Sequence, residues 1–141
     1  MTLPEKRSME VNLEFPVRTY DIDYAGVVSN IVYIRWLEDL RLTILETYYP
    51  LEKLLEAGLA PTLVETRIRY HRPVTIQDRP AARMWVTRLS RLKFEFYAEF
   101  KVGGEVVTTA EQVGCLIDLS SGRPARMPDE FRAAYEAQRK S

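Results

Sequence analysis

The chain has 141 residues, about the length of one domain, and its 20 basic and 20 acidic side chains give a formal net charge of zero. Apolar residues make up 46% of it and aromatic residues 11%, which is enough for a hydrophobic core and argues against intrinsic disorder. It has no apolar run long enough to cross a bilayer, and its N-terminus lacks the apolar stretch of a signal peptide. We therefore expect a soluble, cytoplasmic protein that forms a single domain over residues 1–141.

Positive charge is concentrated in residues 66–93, which hold eight basic side chains against one carboxylate, Asp78. Arg67 and Arg69 alternate there with an apolar and an aromatic residue, so a solvated strand face is the ordinary explanation. The sharper alternative is contact with phosphate groups, which arginine holds through paired hydrogen bonds. The neutral total charge and the absence of a nucleic-acid motif favour a small phosphate-bearing ligand over nucleic acid.

The predicted elements begin with a strand over residues 11–17, where apolar residues alternate and Pro16 indicates an edge position or a bulge. Apolar residues at steps of three and four then predict a long helix over residues 29–49, with Ser29 or Asn30 as its N-cap. The apolar stripe of this helix is wide for a surface element. We therefore expect a sheet to wrap around it.

A short helix and four antiparallel strands are predicted after the long helix, followed by a short C-terminal helix that opens at Pro128-Asp129. Gly103-Gly104 is typical of a two-residue hairpin turn that needs positive φ. The short helix is predicted over residues 51–57 and the strands over residues 62–71, 81–89, 92–102 and 105–118.

A single histidine and a single cysteine exclude several kinds of site. One of each can form neither an internal disulfide nor a His/Cys zinc site, and we predict no metal. His71 continues a strand pattern, where a structural polar role is commoner than a catalytic one. Cys115 alternates with apolar residues and is predicted to be a buried small hydrophobic residue.

Two carboxylates, Asp21 and Asp23, lie in the loop just before the long helix. A helix N-terminus offers unpaired backbone N–H groups and a partial positive charge, which can hold an oxyanion formed at an acyl carbonyl. A carboxylate beside those groups can attack the carbonyl or activate water. Alternatively, both aspartates cap a turn or the helix. The residues alone leave these two interpretations open.

One long stretch of the sequence resembles a known family. The motif runs Arg18-Thr19-Tyr20-Asp21-Ile22-Asp23-Tyr24-Ala25-Gly26-Val27-Val28-Ser29-Asn30-Ile31-Val32-Tyr33 and continues through Trp36, Glu38 and Arg41. It is similar to the motif of the 4-hydroxybenzoyl-CoA thioesterase family of hot-dog-fold proteins. The resemblance covers residues 10–136 and includes Tyr70-His71-Arg72-Pro73-Val74, Asp78, Arg123-Pro124 and Met127-Pro128-Asp129.

The resemblance implies an α+β hot-dog fold, in which an antiparallel sheet of about five strands wraps around one long helix. It implies homo-oligomers, either dimers or tetramers of hot-dog dimers. The implied activity is hydrolysis of an acyl-CoA thioester, or of an acyl-carrier-protein thioester, to the free acid and thiol. No cofactor is implied, because CoA is part of the substrate, and neither a nucleic acid nor a membrane is an expected partner.

The resemblance also implies roles for individual residues. Asp23, just ahead of the Ala-Gly element, falls on the catalytic aspartate, as nucleophile or general base, and Asp21 on the flanking position. The backbone amide of Asn30 falls on the group that polarises the thioester carbonyl. Tyr33 and Trp36 either line the acyl pocket or pack in the core. The expected substrate-binding residues are Gly26, Tyr33, Trp36, Ser90, Arg91 and Lys93, the last three in a hairpin that contacts CoA phosphates in some members.

Three positions depart from the family pattern. Ser29-Asn30 stands where many members have Tyr-His or Asn-Asn, so Asn30 fits the second pair and Ser29 fits neither. Gln77 replaces a frequent glycine, and Lys93 stands where serine or threonine is frequent. None of these departures removes Asp23. The alternative function is a non-catalytic hot-dog protein that binds acyl-CoA or acyl-carrier protein. A dehydratase is disfavoured because such sites use a histidine and His71 lies outside the loop, and nucleic-acid binding ranks third.

Overall fold

A computed structural model describes residues 7–139 as one sheet with helices packed on it. The chain forms a first strand, a long helix and a short helix, then four consecutive strands, a two-residue strand and a C-terminal helix. The elements are β1 (Ser8–Glu14), α1 (Asn30–Tyr48), α2 (Leu51–Glu56), β2 (Leu59–Tyr70), β3 (Ala81–Leu89), β4 (Lys93–Val102), β5 (Glu105–Asp118), β6 (Pro124–Ala125) and α3 (Asp129–Gln138).

The strands form an antiparallel sheet in the order β1-β3-β4-β5-β2, with β6 paired to β5. The turn between β4 and β5 is Gly103-Gly104, whose φ angles of 59° and 81° confirm the predicted hairpin. Because β1 and β2 are the two ends of this order, the strand before α1 and the strand after α2 are both edge strands.

The hydrophobic core lies between α1 and one face of the sheet. Val32, Trp36, Leu37, Leu40 and Ile44 of α1 are buried at the three- and four-residue spacing of a helix. In the same core lie alternate residues of the strands, such as Ala82, Met84 and Val86 of β3. The predicted arrangement, a sheet around one long helix, is therefore confirmed.

The C-terminal helix closes one side of the core, as its sequence predicts. Phe131 and Tyr135 of α3 are buried, and Ala134 packs against the same cluster. The hydroxyl of Ser8 in β1 donates a hydrogen bond to the Tyr135 carbonyl at 2.6 Å, which ties α3 to the first edge strand. No helix within residues 7–139 is long and apolar enough to span a bilayer.

The first strand differs from its prediction. It runs over Ser8–Glu14, three residues earlier than expected, and Pro16 lies outside it. The irregularity is at Met9, the one described non-glycine residue with positive φ, where the pairing of β1 with β3 shifts register. The predicted edge position is correct, but the expected bulge at Pro16 is wrong, because proline lacks the N–H that the ladder needs and ends the strand instead.

Candidate functional site

The loop before α1 is a tight turn built around the carboxylate of Asp23. Its Oδ1 accepts hydrogen bonds from the amides of Ala25 at 2.9 Å and Val27 at 3.4 Å. The amide of Gly26 donates to the Asp23 carbonyl at 3.0 Å, and Gly26 has φ of 80°, which favours glycine. The predicted turn-capping role of this aspartate is confirmed. The turn uses only Oδ1 of this carboxylate, and within residues 7–139 Oδ2 has no hydrogen-bond partner.

The turn is tied to the start of the long helix. Ile22 and Val28 form an antiparallel bridge, and the Ser29 amide donates to the Asp21 carbonyl at 2.9 Å. The buried carboxylate of Asp21 accepts the Arg18 amide at 2.9 Å, so its role is structural. The pairing across this small hairpin joins the Asp23 turn to Ser29, the residue before α1.

The N-terminus of α1 has unpaired donors. Ser29 is the N-cap residue, but its side chain makes no capping hydrogen bond, and the first turn has no acidic residue. The amide of Val32 donates to the Ser29 carbonyl, whereas the amides of Asn30 and Ile31 have no backbone or side-chain acceptor within residues 7–139. Two free N–H groups and the dipole of a 19-residue helix can stabilise negative charge on an oxygen placed there.

The same loop is held from its other side by the segment before β3. Val27 pairs with Thr75, and the Val28 amide donates to the Val74 carbonyl at 2.8 Å. The carboxylate of Asp78 accepts hydrogen bonds from the amide and the hydroxyl of Thr75, at 2.9 Å and 3.2 Å. Asp78 therefore closes the turn on which the Asp23 loop rests.

Aromatic side chains form the inner wall behind the start of α1. Tyr33 and Trp36 make an edge-to-face pair at 5.4 Å between centroids and are both buried, as core packing requires. Phe15 stacks on Trp36, and Phe100 packs edge-on against Tyr33. The half-exposed Tyr70 at the end of β2 packs on the outer edge of Tyr33, at 5.2 Å.

The Tyr33 hydroxyl lies in a buried environment with negative charge nearby. Burial raises the pKa of Tyr33, the nearby Thr108 side chain lowers it in part, and the Tyr70 and Asp78 groups add to the rise. The phenol therefore stays protonated at neutral pH and is a donor or neutral acceptor at this wall. The core role of Tyr33 and Trp36 is confirmed by their burial, and their contact with an acyl group stays a prediction.

Most of the basic block in residues 66–93 is neutralised by glutamates outside it. The guanidinium groups of the six arginines from Arg67 to Arg88 each lie within 4.0 Å of a glutamate carboxylate. Within residues 7–139, the remaining two basic groups, Arg91 and Lys93, have no carboxylate within that distance. The solvated-face explanation therefore holds for Arg67 and Arg69, and two exposed cations remain unpaired at the hairpin between β3 and β4.

That hairpin has a defined backbone geometry. The Ser90 amide donates to the Lys93 carbonyl at 2.8 Å, and the Lys93 amide donates to the Ser90 hydroxyl at 3.1 Å. Arg132 of α3 donates to the Ser90 carbonyl. The hairpin lies at the Leu89 end of β3, whereas the Asp23 loop lies near its Ala81 end. These ends are roughly 26 Å apart at 3.3 Å per residue, so one chain does not bring Asp23 and the hairpin together.

No hydrogen bond within residues 7–139 joins the single histidine or the single cysteine to the Asp23 loop. The Nε2 of His71 is 3.1 Å from the Thr109 hydroxyl, just beyond the end of β2. Cys115 is buried in β5, as predicted. In the part of the chain that the structure describes, residues 7–139, no group of three or more His, Cys, Asp or Glu side chains is arranged to hold a metal ion.

Comparison with known proteins identifies the family. Residues 17–135 match the model of the thioesterase-like superfamily, which is most of the chain. The chain belongs to the thioesterase-like superfamily. The hot-dog fold that the sequence resemblance implied is thereby confirmed, with a sixth short strand, β6, beside the expected five.

Other members have similar folds and distant sequences. A chloroplastic acyl-acyl carrier protein thioesterase of Arabidopsis thaliana is 25% identical over 126 residues, which cover 87% of this chain and 66% of that protein. This thioesterase-like chain thus spans just under two thirds of that relative. A solved DHNA-CoA thioesterase from Staphylococcus aureus has a similar fold, with a TM-score of 0.84 and 20% identity over 91% of this chain and 89% of that chain. A solved 1,4-dihydroxy-2-naphthoyl-CoA thioesterase from Synechocystis also matches in fold, with a TM-score of 0.80 and 22% identity over 89% of this chain and 95% of that chain.

Two features of this thioesterase-like protein were not predicted as functional from the sequence. One is the Thr75–Asp78 contact that supports the Asp23 loop. The other is Arg41, whose guanidinium donates to Gln112 of β5 at 2.7 Å. Gln112 occupies an inward position of β5, between Ala110 and Gly114 on the same face. A large polar residue in this otherwise apolar alternation is the sequence signal from which its role could have been predicted.

Proposed function

We propose that this protein hydrolyses a thioester of coenzyme A or of acyl-carrier protein to the free acid and thiol. The observation that carries the proposal is the free Oδ2 of Asp23 in the loop that leads into the unpaired amides of Asn30 and Ile31. A nucleophile or base next to an oxyanion-binding helix start is what acyl transfer needs.

The chemistry starts with the thioester carbonyl oxygen at the N-terminus of α1. Hydrogen bonds from the Asn30 and Ile31 amides stabilise the negative charge that grows on this oxygen as the carbonyl carbon is attacked. Either Asp23 Oδ2 attacks, the thiolate leaves and water hydrolyses the resulting anhydride, or Oδ2 takes a proton from the water that attacks. In both routes the tetrahedral intermediate collapses by breaking the C–S bond, and the thiolate takes a proton from solvent.

The substrate class follows from the family and from the free cations. The relatives are a carrier-protein thioesterase and CoA thioesterases by name, so a thioester is the shared substrate group. Arg91 and Lys93, unpaired within residues 7–139, fit the phosphate groups that CoA and the carrier-protein arm both bear. Because they lie at the far end of β3 from Asp23, we infer that they serve the site of another subunit.

A homo-oligomer is part of the proposal. β2 is a 12-residue edge strand with backbone groups open to pairing, and Leu63 and Val64 on it are exposed, Val64 by 59%. Ile31 and Ile34 add exposed apolar surface on α1. Pairing of two β2 strands about a two-fold axis would cover this edge and continue the sheet between subunits.

The experiment is a thiol-release assay over short, long and aromatic acyl-CoAs with Asp23→Asn as the test variant. Asparagine keeps a carbonyl oxygen for the Ala25 and Val27 amides, so the turn is retained while the carboxylate is lost. We expect a fall in kcat of at least about a thousandfold, the scale of a lost catalytic group. Release of thiol ahead of acid in the first turnover would identify the covalent route, and simultaneous release the general-base route.

Asp39→Asn is the matched control, since Asp39 is an exposed aspartate of α1 away from the loop. It should leave activity unchanged. Wild-type activity in Asp23→Asn, with the fold intact by circular dichroism, would remove Asp23 from the mechanism. Acyl-CoA binding without any thiol release by the native protein would instead support the non-catalytic binding function.

A further inference from the structure

A narrow cavity lies under the C-terminal half of α1, away from the Asp23 loop. Its volume is about 40 Å³, room for about three water-sized groups and therefore for a carboxylate rather than a ring. The walls are almost entirely apolar. They include Ile44, Leu54, Phe94, Leu116 and Phe131.

One charged side chain lines this cavity, that of Arg41 from α1. Within residues 7–139 its guanidinium donates a single hydrogen bond, to Oε1 of Gln112, although an arginine has five N–H donors. No carboxylate within residues 7–139 lies within 4.0 Å of it. Burial lowers the pKa of Arg41, the charge of Glu38 on the same helix raises it, and the guanidinium stays charged at neutral pH.

The guanidinium is held in place by the sheet. Gln112 is only 1% exposed, and its amide nitrogen donates to the Thr66 hydroxyl at 3.0 Å, which fixes its oxygen toward Arg41. Beside Gln112 on the same face, Gly114 leaves the space that the Phe94 ring fills; a Cβ there would lie 2.4 Å from the ring. Arg41 is thus a partly buried cation with unused donors beside an apolar cavity, and the carboxylate of Glu38, which acts on it, lies beyond ion-pair distance.

The inward face of β2 runs from the start of α1 to Gln112, the hydrogen-bond partner of Arg41. That face is only partly covered, because Ile68 is half-buried against the core and Tyr70 is 46% exposed. Tyr70 and Thr66 lie on that face, Tyr70 against Tyr33 and Thr66 next to Gln112. From Asn30 to Arg41 the helix rises roughly 16 Å. An extended chain of a dozen carbons advances about 1.25 Å per C–C bond, or about 14 Å, and the Arg41 side chain covers the rest.

We infer that Arg41 and this cavity bind the far end of a long acyl group that ends in a carboxylate. The inference rests on the proposed thioesterase function, and it names the substrate class of that site: thioesters of long-chain dicarboxylic acids. The thioester lies at Asn30, the chain follows the face of β2, and the terminal carboxylate pairs with the guanidinium of Arg41.

The test compares dodecanoyl-CoA with dodecanedioyl-CoA, which differ only in the terminal carboxylate. We expect the native protein to have a kcat/KM at least about tenfold higher for the dicarboxylic substrate. Arg41→Met should remove about 10- to 100-fold of kcat/KM for that substrate, the range of a charge-assisted hydrogen bond. It should leave dodecanoyl-CoA hydrolysis unchanged or improved.

A second variant guards against misfolding of Arg41→Met. Gln112→Glu is nearly isosteric and supplies a carboxylate to Arg41 from within the chain, so it should abolish the preference in the same way. Arg35→Met is the matched control, because Arg35 is an exposed arginine on the same helix. It should retain the native preference.

Binding of free dodecanedioate and of its neutral diamide, measured by calorimetry, separates this inference from the proposed function. Arg41-dependent binding of the diacid without any thioester hydrolysis would support the carboxylate pocket and refute the proposed function. Hydrolysis with equal kcat/KM for the two substrates would overturn the inference alone. An equal loss for both substrates in Arg41→Met, with a changed oligomeric mass, would also overturn it, by assigning Arg41 to a partner subunit's carboxylate.

Discussion

The carboxylate of Asp78 accepts two hydrogen bonds from Thr75, one from its amide at 2.9 Å and one from its hydroxyl at 3.2 Å. Thr75 pairs in turn with Val27 of the loop that carries Asp23. A side chain 55 positions along the chain from Asp23 therefore supports the backbone on which Asp23 depends.

Asp78→Ala should lower kcat about tenfold and leave KM nearly unchanged, because the loop would lose its support while the substrate contacts persist. Its free energy of unfolding should fall by about 1–2 kcal/mol, for hydrogen bonds to a partly exposed carboxylate. Thiol-release kinetics and urea titration measure both. Asp78→Asn keeps an acceptor oxygen and should restore most of kcat; if it is as impaired as the alanine variant, the charge rather than the geometry matters.

Gly114→Ala should destabilise the protein by about 3 kcal/mol or more, since added atoms in a packed core force neighbours to move. The new Cβ would lie 2.4 Å from the Phe94 ring and 2.6 Å from the Thr62 carbonyl oxygen. Thermal and urea denaturation give the measurement. Because the Thr62 contact is with backbone, adding Phe94→Leu should relieve only part of the loss. Native stability in Gly114→Ala would show that this part of the sheet has room that its packing does not indicate.

The long helix and the hairpins were predictable because their signals are local. The spacing of Trp36, Leu40 and Ile44 marks α1 to within one residue of Asn30–Tyr48, and adjacent glycines mark the β4–β5 turn. The turn-capping role of Asp23 was foreseen as one of two alternatives, from the preference of aspartate for such positions.

The rest depends on contacts between distant residues. The start of β2 at Leu59 was placed three residues late, because alternation is weak around Pro61 and pairing with β5 defines the strand there. Arg41 and Gln112 are 71 positions apart, and only the packing of α1 on the sheet brings them together. Sequence resemblance grouped Asp23 with the Ser90–Lys93 hairpin, but it contains no information on which subunit supplies each.

Alkaline pH should destabilise the protein through its buried tyrosines. Burial raises the pKa of Tyr33 above its ordinary value of 10.0, so the folded chain keeps a phenolic proton that the unfolded chain loses. This stabilisation is fully present below about pH 10 and is lost as pH rises through the folded-state pKa. Urea titrations at pH 8, 10 and 11 should show the decline, which should be smaller in Tyr33→Phe than in the control Tyr24→Phe, whose ring is fully exposed. Equal declines would show that Tyr33 ionises as easily in the folded as in the unfolded chain.

If the phosphate contacts cross a subunit boundary, two defective variants should complement each other. One variant is Asp23→Asn, and the other combines Arg91→Ser with Lys93→Ser. The second variant should have a higher KM for a CoA thioester but an unchanged KM for the matching pantetheine thioester, because pantetheine lacks the nucleotide phosphates. A heterodimer purified through two different tags would then hold one intact site and one with both defects. At low acyl-CoA concentration it should regain about half of the native activity. Phosphate contacts within one subunit would give only half of the already weak activity of the hairpin variant, because every subunit with Asp23 would then lack its own cations.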